Sequence, residues 1–189
     1  EDPQGAYAHA AAAARRAGRL AVVREAAGLA AYAAGRWAEA LRDLRAARRM
    51  AGTDALLPVL ADCERGLGRP DRALELATDP GVARLDQAGR VEMYIVAAGA
   101  RRDLGQPAAA VLALQVPELT LRPPRPWSHR LWYAYADALL AAGRVAEARH
   151  WFAETAAVDG GLTDAAERVA EIDGVVFLDD AEGPGPGEE

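Results

Sequence analysis

One thiol, three imidazoles and one serine hydroxyl are the first groups to weigh for chemistry in this 189-residue chain: Cys63, His9, His129, His150 and Ser128. A nucleophilic cysteine needs a base within reach and an electropositive setting that lowers its pKa. Cys63 sits in Ala61-Asp62-Cys63-Glu64-Arg65-Gly66, where Arg65 supplies some positive charge but no histidine is local. It reads as a small buried thiol on a helix. The histidines fall on separate stretches, and His150 beside Trp151 reads as a surface or packing residue. Ser128, in Pro126-Trp127-Ser128-His129-Arg130, reads as the cap of the helix that follows it. No Gly-rich phosphate loop, no HExxH pair and no Cys/His set with metal-ligand spacing is present. The expectation is a protein with no catalysis, no metal and no cofactor.

The arginines carry the other chemistry. All 22 basic residues are Arg, and the chain has neither Lys nor Asn. Arg42, Arg45, Arg48 and Arg49 run along one helical stretch. They form either a solvated helix face or a docking surface for an acidic partner or RNA phosphate. No stacking aromatic is interleaved with them, which weighs against RNA.

The net charge is −6, and the stretch Asp179 to Glu189 accounts for most of it, with five acids and no base. The rest of the chain sets 22 bases against 23 acids, so it is no bulk nucleic-acid binder. A single cysteine makes no internal disulfide and fits a reducing, cytoplasmic compartment. No apolar run approaches the roughly 18 residues of a membrane span, and no signal peptide is seen. The chain opens on Glu1-Asp2-Pro3 without Met, so an upstream segment is expected.

The elements that must position these groups are helices. Alanine, at 47 residues, is the commonest residue, and it gives up no side-chain entropy in a helix. β-branched and aromatic residues are too sparse for a sandwich or barrel. Helix–turn–helix units recur around Gly35, Gly68, Gly105 and Gly143, at separations of 33, 37 and 38 residues. A glycine just past a helix takes the left-handed conformation that satisfies orphan carbonyls. Pro70 and Pro107 open the helix after their turns. Asp2 to Arg16 reads as a helix capped by Asp2 and opened by Pro3. Val116 to Pro126 is an extended connection, since its prolines forbid helix. Thr163 to Ile172 reads as a closing helix, and Val175 to Leu178 as an apolar run folding back on it. Asp179 to Glu189 is disordered by composition.

Gly28, Gly35, Trp37, Ala40, Leu44 and Ala47, with Trp132, Ala136, Gly143, Ala148 and Phe152, resemble the signature of the tetratricopeptide repeat (TPR) family. Weaker copies keep Leu57, Leu60, Ala61, Gly68 and Ala73, and Tyr94, Ala98, Gly105, Ala110 and Leu114. Small residues sit where two helix axes pass closest, and large ones fill the space beside them. The closing proline of the family is absent, and Pro70 and Pro107 replace an aromatic, which predicts shorter second helices there. The strings VREAAGLAAY, ADCERGLGRPDRAL and AERVAEIDGVVFLDD are similar to a group of actinobacterial TPR proteins of unassigned function. Members of that group carry a basic N-terminal arm before the repeats.

The resemblance implies an all-α, right-handed solenoid of helical hairpins, in which stacked neighbours share the core. Residues 1–19 form an orphan second helix, 20–160 about four hairpins, 161–178 a C-terminal cap and 179–189 an acidic tail. First helices of such arrays line a concave groove, where the family binds peptides. Positions on that face are Glu25, Leu29, Tyr32, Asp62, Arg65, Glu92, Arg102, Tyr133 and Asp137. The expected function is a non-catalytic scaffold that holds a partner protein or peptide there through Tyr contacts and Arg–carboxylate pairs. The alternative is an RNA- or ribosome-associated factor that acts through a basic arm and the arginine face, Arg42 to Arg49, on the convex side.

Overall fold

A computed structural model describes residues 2–180. Among them every regular element is helical: ten α-helices and two short 3₁₀ turns, with no strand. They form two compact units, divided between Gln106 and Pro107.

The first unit holds α1 (Pro3–Ala17), α2 (Ala21–Ala33), α3 (Trp37–Ala51), α4 (Leu57–Gly66), α5 (Pro70–Ala77) and α6 (Gln87–Asp103), with a 3₁₀ turn at Pro80–Arg84. Each helix packs on the next in sequence, and α4 also packs on α6. Asp2 caps α1 by accepting the Gly5 N–H at 3.0 Å, with Pro3 at the first helical position. Between α2 and α3 the chain turns at Gly35, whose φ of 70° only glycine adopts without strain. Gly28 marks the closest approach of these two helices. A Cβ there would lie 2.5 Å from Leu44 Cγ, so the missing side chain is what lets Leu44 bury completely. Gly66 likewise leaves room for the half-buried Trp37, whose indole lies against its backbone. One core joins Leu41, Leu44, Leu56, Leu60 and Cys63, and a second joins Leu57, Leu85, Met93 and Val96.

The second unit holds α7 (Pro107–Leu114), a 3₁₀ turn (Pro117–Thr120), α8 (Ser128–Ala141), α9 (Val145–Ala156) and α10 (Ala165–Asp180). Again sequence neighbours pack together. Trp132 and Phe152 are buried. Phe152 on α9 meets Tyr133 edge-on at 5.3 Å, and Trp132 lies 6.1 Å from Trp151. The Trp132 indole N–H donates to the Leu119 carbonyl at 2.9 Å, which satisfies the one polar group that burial would otherwise strand.

The second helices after the Gly68 and Gly105 turns are short, as expected, although an opening proline alone does not set length, since α1 begins at Pro3 and has 15 residues. The helices that begin at Pro70 and Pro107 have 8 residues each, against 15 for α3 and 12 for α9. Three local expectations need correction. Ser128 does not cap α8: it is the first helical residue, and its hydroxyl accepts the Arg125 N–H at 2.9 Å, closing the turn before the helix. The connection after Val116 is not wholly extended, because Pro117 starts a 3₁₀ turn. Helix α10 does not fold back at Val175 but continues to Asp180, so Asp179 and Asp180 belong to a helix rather than a disordered tail. Residues 181–189, the remainder of that tail, lie outside the described residues.

Candidate functional site

Alternate helices of the first unit are joined on one face by a chain of polar and charged contacts. Tyr32 on α2 donates its hydroxyl to Asp62 Oδ2 on α4 at 2.6 Å. Arg65, one turn along α4, donates from Nη1 to Asp62 Oδ1 at 2.7 Å and from Nε to Asp103 Oδ2 on α6 at 2.8 Å. The guanidinium passes over Gly99, where a Cβ would lie 2.7 Å from its central carbon. The face thus runs Tyr32–Asp62–Arg65–Asp103 across α2, α4 and α6. A cleft opens beside it, lined by Trp37, Asp62, Arg65, Gly66 and Asp103. Leu29, one turn before Tyr32, is 42% exposed. Glu25, Glu92 and Arg102 are half-buried on their helices, and Glu92 and Arg102 have partners of their own.

The second unit repeats the arrangement. Tyr133 on α8 donates to Asp164 Oδ1 at 2.6 Å, just ahead of α10. Arg168 on α10 lies 3.8 Å from Asp137 and stacks over the Phe152 ring at 5.4 Å. Burial, and then the hydrogen bond it donates to Asp164, push the Tyr133 hydroxyl up to about 12. Among the first-helix positions read from sequence, the structure therefore links Tyr32, Asp62 and Arg65 in one unit, and Tyr133 and Asp137 to the same helix pair in the other. Sequence reading missed Asp103, Asp164 and Arg168. The signal was present only as a repeat in spacing: Tyr32 to Asp62 and Tyr133 to Asp164 are 30 and 31 residues apart.

The arginine face on α3 is not a row of free cations. Arg42 pairs with Asp43 at 2.9 Å, Arg45 with Glu64, and Arg48 with Asp54 at 2.8 Å and Asp79 at 3.3 Å. Arg49 is exposed. Asp43 and Glu64 are only 2% and 3% exposed, so these are buried carboxylates covered by guanidiniums. Burial works to raise the Asp43 pKa, but the charges and hydrogen bonds of Arg42 and Arg24 outweigh it and hold the carboxyl below its usual range.

Cys63 is fully buried among leucines. Desolvation, reinforced by Asp62 and Glu64, pushes its thiol up to about 12, which leaves it protonated and inert at neutral pH. Among the described residues no group of three or more His, Cys, Asp or Glu side chains is placed to hold a metal ion. No helix among them is long and apolar enough to cross a membrane. No protein-family model matches the chain, and no curated protein matches it.

Proposed function

We propose that this protein is a non-catalytic scaffold of TPR-like helical hairpins that binds a segment of a partner protein along the face formed by α2, α4 and α6. The observation that carries this reading is the Tyr32–Asp62–Arg65–Asp103 chain. It fixes three helices in register and leaves Leu29 and the cleft at Trp37 open beside it. A rigid face with an apolar anchor point and a polar rim is the form a peptide-binding surface takes. The inert, buried Cys63 supports the absence of thiol catalysis and fits a cytoplasmic setting. Arg65 is engaged by two carboxylates of its own chain, so a partner carboxylate must compete with Asp103 for it. The RNA-associated alternative draws less support, because Arg45 and Arg48 are each held in an intramolecular ion pair.

A photo-crosslinking residue placed at Leu29 tests the reading, with one at Met50 on α3 as the comparison. Both side chains are exposed, at 42% and 44%. The expected result is a crosslinked partner peptide at position 29 that is lost in the double variant Arg65→Ala, Arg102→Ala and absent at position 50. Equal capture at both positions, or capture at 50 alone, sinks the proposal.

A further inference from the structure

A cleft in the first unit, on α1, α2 and α3, has a composition that the scaffold reading does not use. Its lining comprises Arg15, Arg24, Arg42 and Asp43, together with Tyr7, Ala11 and Ala14 of α1. Three guanidiniums against one carboxylate leave the lining with a net charge of +2.

Two of these cations are oriented in advance. Asp43, buried beneath them, accepts from Arg24 Nη1 at 2.6 Å and from Arg42 Nη2 at 2.9 Å. Arg24 Nε is tied to the Gly18 carbonyl at 2.8 Å. Arg24 Nη2 and Arg42 Nη1 keep donors with no protein acceptor among the described residues. Arg15 is exposed and makes no hydrogen bond or ion pair among them.

We propose that this cleft binds a phosphomonoester dianion. Planar guanidiniums present forked donors that match the oxygens of a phosphate. The charge of the ligand, close to −2 at neutral pH, equals the surplus of the lining. The buried carboxylate has already ordered two of the three side chains, so binding forfeits little of their freedom. Small alanine side chains in the lining let a tetrahedral group approach the wall. A nucleic-acid phosphodiester fits less well. It carries one charge per phosphate and relies on a track of free cations, whereas Arg45 and Arg48 further along α3 are taken by Glu64, Asp54 and Asp79.

Calorimetric titration of the full chain at fixed salt tests this, with a phosphoserine pentapeptide, its unphosphorylated form, inorganic phosphate and a short oligouridylate as probes. The phosphopeptide binds with one-to-one stoichiometry and the unphosphorylated peptide does not. Arg15→Gln and Arg42→Gln each weaken that binding by about tenfold, the loss expected for one charge-assisted contact. Arg15 has no structural partner, so its variant keeps the fold and decides the matter even where Arg42→Gln, by uncovering Asp43, does not. Phosphopeptide binding tighter than free phosphate assigns the site to a modified protein. Equal affinities assign it to a small phosphorylated ligand, and both support the cleft. Absence of saturable phosphate binding, an unchanged affinity in Arg15→Gln, or tighter Arg15-dependent binding of the RNA overturns the proposal.

Discussion

Gly28 and Phe152 show the two opposite demands that single residues meet in this fold. Gly28 must be small, because a Cβ would sit 2.5 Å from Leu44 Cγ and 2.8 Å from Leu44 Cδ2. Gly28→Ala gains helix propensity but overpacks the α2–α3 contact, and a net loss of about 1–3 kcal/mol is expected in urea melts. Phe152 must be large, because it is fully buried between Tyr133 and Arg168. Phe152→Ala is expected to cost about 3–5 kcal/mol, and a loss under about 1 kcal/mol would show that α9 packs otherwise. Both roles were legible in the sequence, where small and large residues alternate at helical spacing. The pairing of the polar residues was not. Arg65 reads from sequence as a donor for a partner carboxylate, but its acceptors are Asp62 one turn back and Asp103 across on α6. Spacing reveals which residues share a face of one helix, and it is silent on which charge a second helix brings up to that face.

At the scale of elements, the turns were the most legible part, because only glycine supplies their backbone conformation. Gly35, Gly68, Gly105 and Gly143 all have φ between 70° and 75°. No atom would obstruct a Cβ at any of them, so the cost of substitution is purely conformational. Gly143→Ala is therefore expected to cost about 1–2 kcal/mol with α8 and α9 otherwise unchanged, read from denaturant midpoints at constant m-value. The helices begun by Pro70 and Pro107 are short. Two element boundaries escaped sequence reasoning for a physical reason. At Ser128 the hydroxyl had a choice between the helix and the preceding turn, and it accepts from Arg125. Beyond Ile172 the sequence predicts a fold-back over Val175 to Leu178, yet α10 runs on through Gly174. Asp173, just before that glycine, is bound by Arg149 on α9, with Nη2 donating at 2.7 Å, and this tie secures α10 to its neighbour where the sequence alone suggests a break.

For the whole molecule, the contrast is between an alanine-rich core that supplies little side-chain volume and a dense set of arginine–carboxylate pairs that close over it. The pairs make stability depend on pH at both ends. On the acid side, Asp43 is buried and Arg42 and Arg24 hold its carboxyl below the usual range, while hydrogen bonds from Thr163 and the Gly161 N–H do the same for Asp159. A carboxyl whose folded pKa is depressed contributes stability that is complete above its unfolded value of about 3.9 and is lost as pH falls through the folded value. On the alkaline side the sign reverses. The Cys63 thiol and the Tyr133 hydroxyl are both pushed up to about 12 by burial and nearby carboxylates, so the folded state holds protons that the unfolded state releases at lower pH. Their contribution is complete below the unfolded values, about 8.5 for Cys and about 10 for Tyr, and declines as pH rises toward 12. The expected profile of urea midpoints is a plateau from about pH 5 to pH 8, falling below about pH 4 and again above about pH 9. Two variants separate the limbs. Cys63→Ala lowers the plateau by removing buried volume but flattens the onset of the alkaline fall, leaving the part due to Tyr133. Asp43→Asn, which cannot titrate, lowers the plateau by leaving two guanidiniums without their carboxylate and shallows the acid limb. An alkaline limb that starts at pH 9 unchanged in Cys63→Ala would place the titrating groups elsewhere and show that the thiol is solvated in the folded protein.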